Sequence, residues 1–195
     1  MLSRKLKELL EHHKNVNSLI IKRLKEFKIP KLKEDIFREL CFCILAANTS
    51  SKMASRVMEN VGEVIFNGSE EQVKERLHSL SCRFYNKRAE YIFLARAKEI
   101  KLDRDYLVEN FKGIGYKEAS HFLRNVGCSR YAILDKHILN SLVEFKVIKE
   151  RPISLNRKKY LEIEKKMKKF SEKIGINMDE LDFVLWSRKT GEVLK

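Results

Sequence analysis

The strongest constraint on this chain is its apolar periodicity. Hydrophobic residues recur every three or four positions along most of its length, with almost nothing to interrupt a helix. Only 2 prolines and 7 glycines occur in 195 residues, and these are the residues that most penalise helix interiors. The pattern predicts an all-α fold. A first helix is expected from about Ser3 to Phe27, with Leu6, Leu9, His13, Val16, Ile20, Leu24 and Phe27 on one stripe. Ile29-Pro30 ends it, since the residue before proline is pushed out of the helical region. A second helix begins near Leu32 and is apolar throughout Leu40–Ala47, as a helix buried on all sides would be. Asn48-Thr49-Ser50-Ser51 caps a third, reaching about Phe66, and Ser69-Glu70-Glu71-Gln72 is a capping box for a fourth. Further helices are expected over about Asn86–Ile100, after Asp103, over Tyr116–Asn125 and over Asp135–Phe145. Asn156 and Asn177 have the character of N-caps for the last two, with Gly175 as the stop between them.

Charge then narrows the partner. The 41 Lys+Arg against 27 Asp+Glu leave a net charge of +14, which favours a partner carrying many negative charges, nucleic acid first. Lysine and glutamate richness with a single glutamine, Gln72, also fits adaptation to high temperature. No apolar run approaches the length of a membrane span, and Met1-Leu2-Ser3-Arg4-Lys5 opens on charge with no secretory h-region. Cys41, Cys43, Cys82 and Cys128 lack the paired spacing of a zinc site. Buried, reduced thiols in an intracellular protein, cytoplasmic or at the nucleoid, are the expectation.

One segment carries chemistry. Phe111-Lys112-Gly113-Ile114-Gly115-Tyr116-Lys117-Glu118-Ala119 places two glycines one residue apart between helices. Such a hairpin turns backbone N–H groups outward, here those of Gly113, Gly115 and Lys117, and suits a phosphate at the positive end of the following helix. Contacts of that kind hold a duplex without reading its sequence. Lys117 stands beside the nest, where an anchored phosphate would bring a deoxyribose C1′ within reach of its amine. Asp135 opens the next helix in Asp135-Lys136-His137. It is an N-cap by position, and its carboxylate could also stabilise a developing oxocarbenium ion. His137 is expected to pack or hydrogen-bond within the helix turn.

These residues resemble the helix-hairpin-helix, Gly/Pro…Asp superfamily of base-excision DNA glycosylases, whose pattern is a hairpin like Leu-Pro-Gly-Val-Gly-x-Lys-x-Ala followed by an aspartate. Lys112 replaces the hairpin proline. The resemblance implies that Lys117 is the Schiff-base nucleophile of a bifunctional glycosylase/lyase and Asp135 its catalytic carboxylate. It implies DNA contacts at Gly113, Gly115, Asn48, Phe84, Lys87 and Arg88. Asn48, in Ile44-Leu45-Ala46-Ala47-Asn48-Thr49-Ser50, would fill the gap left by a flipped base. Phe84-Tyr85-Asn86-Lys87-Arg88-Ala89 would approach the opposite strand. A monovalent cation, sodium or potassium, would be held with DNA by the carbonyls of Glu109, Phe111 and Ile114. With no cysteine after Cys128, no iron–sulfur cluster is expected, and no cofactor is required. The short, all-helical chain ending in Lys195 is most similar to the compact archaeal-type 8-oxoguanine DNA glycosylases. In that group the C-terminal lysine and its carboxylate help to tell 8-oxoguanine from guanine, a role that falls on Lys195. Trp186 is a candidate to stack on the extruded base, although its spacing with Leu181 and Leu185 also suits a core residue.

The expected architecture is two helical lobes with the active site in the cleft between them. Residues 28–129 would form a helical barrel carrying the hairpin, and 1–27 with 130–195 the second lobe. The expected partner is double-stranded DNA containing 8-oxoguanine, bound by a monomer that does not engage membranes. Two alternatives stand beside this reading: an endonuclease III-like glycosylase for oxidised pyrimidines without its cluster, and a non-catalytic helix-hairpin-helix DNA-binding module.

Overall fold

The computed structural model describes residues 4–193, and every described regular element is an α-helix. The chain divides into two compact units: Pro30–Val126, and the residues up to Ile29 together with those from Gly127 onward.

The first unit contains α2 (Lys33–Ala46), α3 (Ser51–Asn60), α4 (Val64–Asn67), α5 (Glu70–Ser79), α6 (Tyr85–Arg96), α7 (Arg104–Asn110) and α8 (Tyr116–Asn125). Its central helix is α2, buried continuously from Glu39 to Ala46. The helix starts follow local chemistry. Ser50 accepts the Met53 N–H at 3.2 Å, Ser69 and Gln72 form a reciprocal capping box, and Asp103 accepts the Tyr106 N–H at 2.8 Å. Two expected boundaries differ. The third helix stops at Asn60, and Gly62 (φ +70°) then turns the chain into the separate α4. The helix expected to reach Ile100 ends at Arg96, whose guanidinium satisfies the carbonyls of Val64 (2.7 Å), Ile65 (2.6 Å) and Gly68 around the end of α4. Helix ends leave carbonyls unpaired, and here a distant arginine meets that need. At the other end of the unit, buried Asn125 donates to Glu39 at 2.7 Å and accepts from Arg124 at 3.2 Å. This polar link fixes the C-terminal end of α8 against α2, and a buried amide so paired avoids the cost of an unsatisfied one.

The second unit contains α1 (Arg4–Phe27), α9 (Lys136–Glu144), α10 (Arg157–Ile174) and α11 (Met178–Thr190). Leu9, Ile20 and Phe27 bury one stripe of α1, and the Phe27 ring stacks on Phe183 of α11 with centroids 6.2 Å apart. Leu181, Phe183, Val184 and Leu185 place α11 in the core. Asn156 and Asn177 cap α10 and α11, and Gly175 ends α10 at φ +69°. Cys41, Cys43 and Cys82 are buried, Cys128 is half-buried, and none of the four is in a disulfide. Among the described residues no helix is long and apolar enough to cross a membrane.

Candidate active site

The link between α7 and α8 is a five-residue hairpin, Phe111–Gly115. Phe111 is buried, and its N–H closes α7 onto the Leu107 carbonyl at 3.0 Å. The Ile114 N–H returns to the Phe111 carbonyl at 3.2 Å. Gly113 sits at the apex with φ +80°, and a Cβ there would lie 2.5 Å from the Tyr91 ring. Both the backbone angle and the aromatic wall of α6 therefore require glycine. Lys112, the residue in place of the proline, ion-pairs with Glu90 of α6 at 2.8 Å. This pair holds the Lys112 ammonium above its usual range and the Glu90 carboxyl below its own. Gly115 is the N-cap of α8, and the first helical bond runs from the Ala119 N–H to its carbonyl at 2.8 Å. The amides of Lys117 and Glu118 precede that bond, in the first turn, where helix N–H groups point along the axis out of the N-terminus. They form the positive end to which an anion is drawn.

Lys117 is the second residue of α8, directly over this end. Its side chain is 28 % exposed, and Nζ lies 2.9 Å from Oε1 of Glu118.

Asp135 is the N-cap of α9, its Oδ1 accepting the Ile138 N–H at 2.7 Å. The cap bond uses one of the two carboxylate oxygens. The extended stretch leading to it is pinned from α10. Buried Tyr160 donates its hydroxyl to the Ala132 carbonyl at 2.6 Å and accepts the Leu134 N–H at 3.2 Å. Glu164 accepts the Ala132 N–H at 2.8 Å. Sequence reasoning missed Tyr160 and Glu164. Their only signal is the i,i+4 spacing that puts both on one face of α10. His137 was expected to be engaged in the helix turn and is instead exposed.

Of the other candidates, Asn48 is exposed with φ +55°, and Phe84 is 55 % exposed with φ +56°. Lys87 is exposed, 3.5 Å from Glu90. Arg88 is only 4 % exposed, and its guanidinium is engaged by Ala47, Thr49 and Cys82. Trp186 is half-buried, while its helix neighbours Leu181 and Leu185 are fully buried. Lys195 lies outside the described residues. The hairpin, Lys117, Asn48, Phe84, Lys87 and Arg88 belong to the Pro30–Val126 unit, whereas Asp135 and Trp186 belong to the other.

Two helices joined by a Gly-x-Gly hairpin, with a lysine on the first turn of the second, define a helix-hairpin-helix element. The family model described as 8-oxoguanine DNA glycosylase, Ogg-HhH, matches residues 20–176, and the chain belongs to this family. An 8-oxoguanine DNA glycosylase/AP lyase of Methanocaldococcus jannaschii is 45% identical over the whole of both chains. Its counterpart in Korarchaeum cryptofilum is 42% identical over 92% of each. The crystal structure of the M. jannaschii 8-oxoguanine glycosylase/lyase in complex with 15mer DNA containing 8-oxoguanine superposes with a TM-score of 0.92 at 42% identity, covering 99% of this chain and 100% of that one. The 8-oxoguanine DNA glycosylase of Thermotoga maritima gives 0.91 at 37% identity, covering 97% and 98%.

Proposed function

We propose that this chain excises 8-oxoguanine from double-stranded DNA and then cleaves the strand, as a glycosylase/AP lyase acting through a Schiff base on Lys117. Family membership over the full chain supports the activity. The observation that carries the residue assignment is the Gly113–Gly115 hairpin, which sets Lys117 on the first turn of α8 beside the anion-seeking amides.

A phosphate next to the lesion is anchored at the hairpin and the α8 N-terminus. The neutral Lys117 amine attacks C1′ as the C1′–N9 bond breaks, and its electron pair leaves with the base. The Asp135 carboxylate stabilises the positive charge that develops on the sugar. The nitrogen gives up a proton to the departing base, and its lone pair then expels O4′, which takes up a proton as the ring opens to the Schiff base. Loss of a C2′ proton then expels the 3′ phosphate by β-elimination, and water releases the lysine. Discrimination uses the N7–H of 8-oxoguanine, a donor where guanine has an acceptor. An acceptor on the protein pairs with the lesion and is left unpaired by guanine. Lys195 is assigned a contact with the extruded base and Trp186 the stacking. A monovalent cation fits the hairpin: the Phe111 carbonyl accepts one N–H, from Ile114, and keeps a second lone pair. The carbonyls of Glu109, Phe111 and Ile114 would hold it, and it would add positive charge beside the phosphate.

Borohydride trapping on duplexes carrying 8-oxoguanine, thymine glycol or undamaged guanine tests this reading. A covalent adduct with 8-oxoguanine alone, absent from Lys117→Gln, is the expected result. An adduct with thymine glycol would reassign the lesion, and binding without any adduct would reduce the chain to a DNA-binding module.

A further inference from the structure

The turn bearing Asn48 and the turn bearing Phe84 come from separate parts of the chain, yet share one unusual backbone state. Asn48 has φ +55° and Phe84 φ +56°. Asparagine enters this left-handed region readily, but a bulky aromatic residue rarely does. Such conformations persist only where their surroundings over-determine them, and they cluster at functional sites. Both side chains are exposed, Phe84 by 55 %.

A single buried side chain joins the two turns. Arg88 Nη2 donates to the Ala47 carbonyl at 2.6 Å and to the Thr49 hydroxyl at 2.8 Å, the two residues that flank Asn48. Its Nη1 donates to Cys82 Sγ at 3.3 Å, just before the Phe84 turn. The same guanidinium stands 5.7 Å from the centroid of the Phe84 ring, and Arg83 stands 5.0 Å from it. A rigid planar fork can serve acceptors in several directions while packing on an aromatic ring, and a lysine ammonium cannot.

We infer that Arg88 is a positioning residue that locks the Asn48 and Phe84 turns into one wedge, without itself touching DNA. The inference rests on the glycosylase reading above. Its physical content is preorganisation. Extruding a base costs unstacking and unpairing, and a wedge ordered beforehand adds no ordering cost to that step. Loosening the wedge should therefore hinder base extrusion and leave the lysine chemistry intact.

The experiment compares Arg88→Met, Arg88→Lys and Thr49→Val on two duplexes, one with a paired 8-oxoguanine and one with a preformed abasic site, which has no base to extrude. Arg88→Met is expected to slow release of the paired lesion roughly tenfold or more, with borohydride trapping at the abasic site within about twofold of wild type. A 2-aminopurine beside the lesion should show reduced extrusion to match. Arg88→Lys should recover part of the loss. Thr49→Val, which removes one acceptor from a half-buried position, should lose activity in the same direction by less. The slope of log Kd against log salt should be unchanged in Arg88→Met, whereas a lost phosphate contact would reduce it by about 1. A reduced slope, or equal losses on both duplexes, would overturn the inference by making Arg88 a direct DNA contact or a general fold residue. If Arg88→Met does not fold, Thr49→Val decides alone, and wild-type extrusion in that variant overturns the inference. Lys117→Gln is the control for the underlying reading. Trapping that persisted in it would overturn the Schiff-base assignment, independently of Arg88.

Discussion

Asp135 caps α9, and the catalytic role proposed for the same carboxylate can be separated from the cap by substitution. Asparagine caps a helix about as well as aspartate, so Asp135→Asn should leave stability within about 0.5 kcal/mol of wild type. Asp135→Ala should lose about 1 kcal/mol more. Both should slow single-turnover base release by roughly 100-fold or more while duplex affinity changes little. If Asp135→Asn released base at the wild-type rate, the carboxylate would be a cap and nothing else. At this scale the sequence was readable wherever an arrangement is local. Gly113, Gly115 and Lys117 lie within five consecutive residues, and Asp135 sits three positions before the amide it caps. The partners of Tyr160, Glu164 and Arg88 were not readable, because each bonds backbone or side chains brought near only by folding.

Among the elements, the hairpin and the α9–α11 contact yield separate tests. Gly113→Ala meets both a positive φ and the Tyr91 ring, whereas Gly175→Ala meets only a positive φ, with open space around it. The first should cost about 2–3 kcal/mol and the second about 1 kcal/mol, read by denaturant unfolding. Only the first should also weaken duplex binding, and equal effects would deny the hairpin a role in holding DNA. In the second unit, Glu144 at the end of α9 bonds Arg188 at 2.8 Å and Lys189 at 2.9 Å on α11. The Arg188 bond first, and Lys189 after it, hold the Glu144 carboxyl down to about 2 from an ordinary 4.5. A carboxyl lowered in the folded state contributes stability that is complete above the unfolded value and lost as pH falls toward the folded one. Wild type should therefore exceed Glu144→Gln by about 2 kcal/mol near neutral pH. The gap should shrink once pH drops below 4.5 and close near about 2. A gap that did not vary with pH would assign the loss to packing. The periodicity placed α9 and α11 in the sequence, but their ionic link spans 44 and 45 residues and has no local signature.

For the molecule as a whole, the net charge of +14 has two competing physical explanations, duplex binding and thermal adaptation. If it serves DNA, affinity for an undamaged duplex should fall by roughly 100-fold or more between about 50 and 200 mM salt, through release of counterions from neutralised phosphates. Fluorescence anisotropy would measure it, and an affinity indifferent to salt would favour the thermal explanation. By itself the sequence determined the helical class, most caps and the glycine hairpin with its lysine. Each depends on residues within about one helical turn of one another, where propensity and hydrogen-bonding geometry act directly. Only the tertiary structure decided which distant side chains hold these local elements in place. Arg96 finishing α4, Tyr160 fixing the approach to Asp135, and Arg88 buried between two strained turns all pair groups far apart in sequence. Such pairings follow from packing, which brings distant backbone groups into reach and makes leaving them unpaired costly.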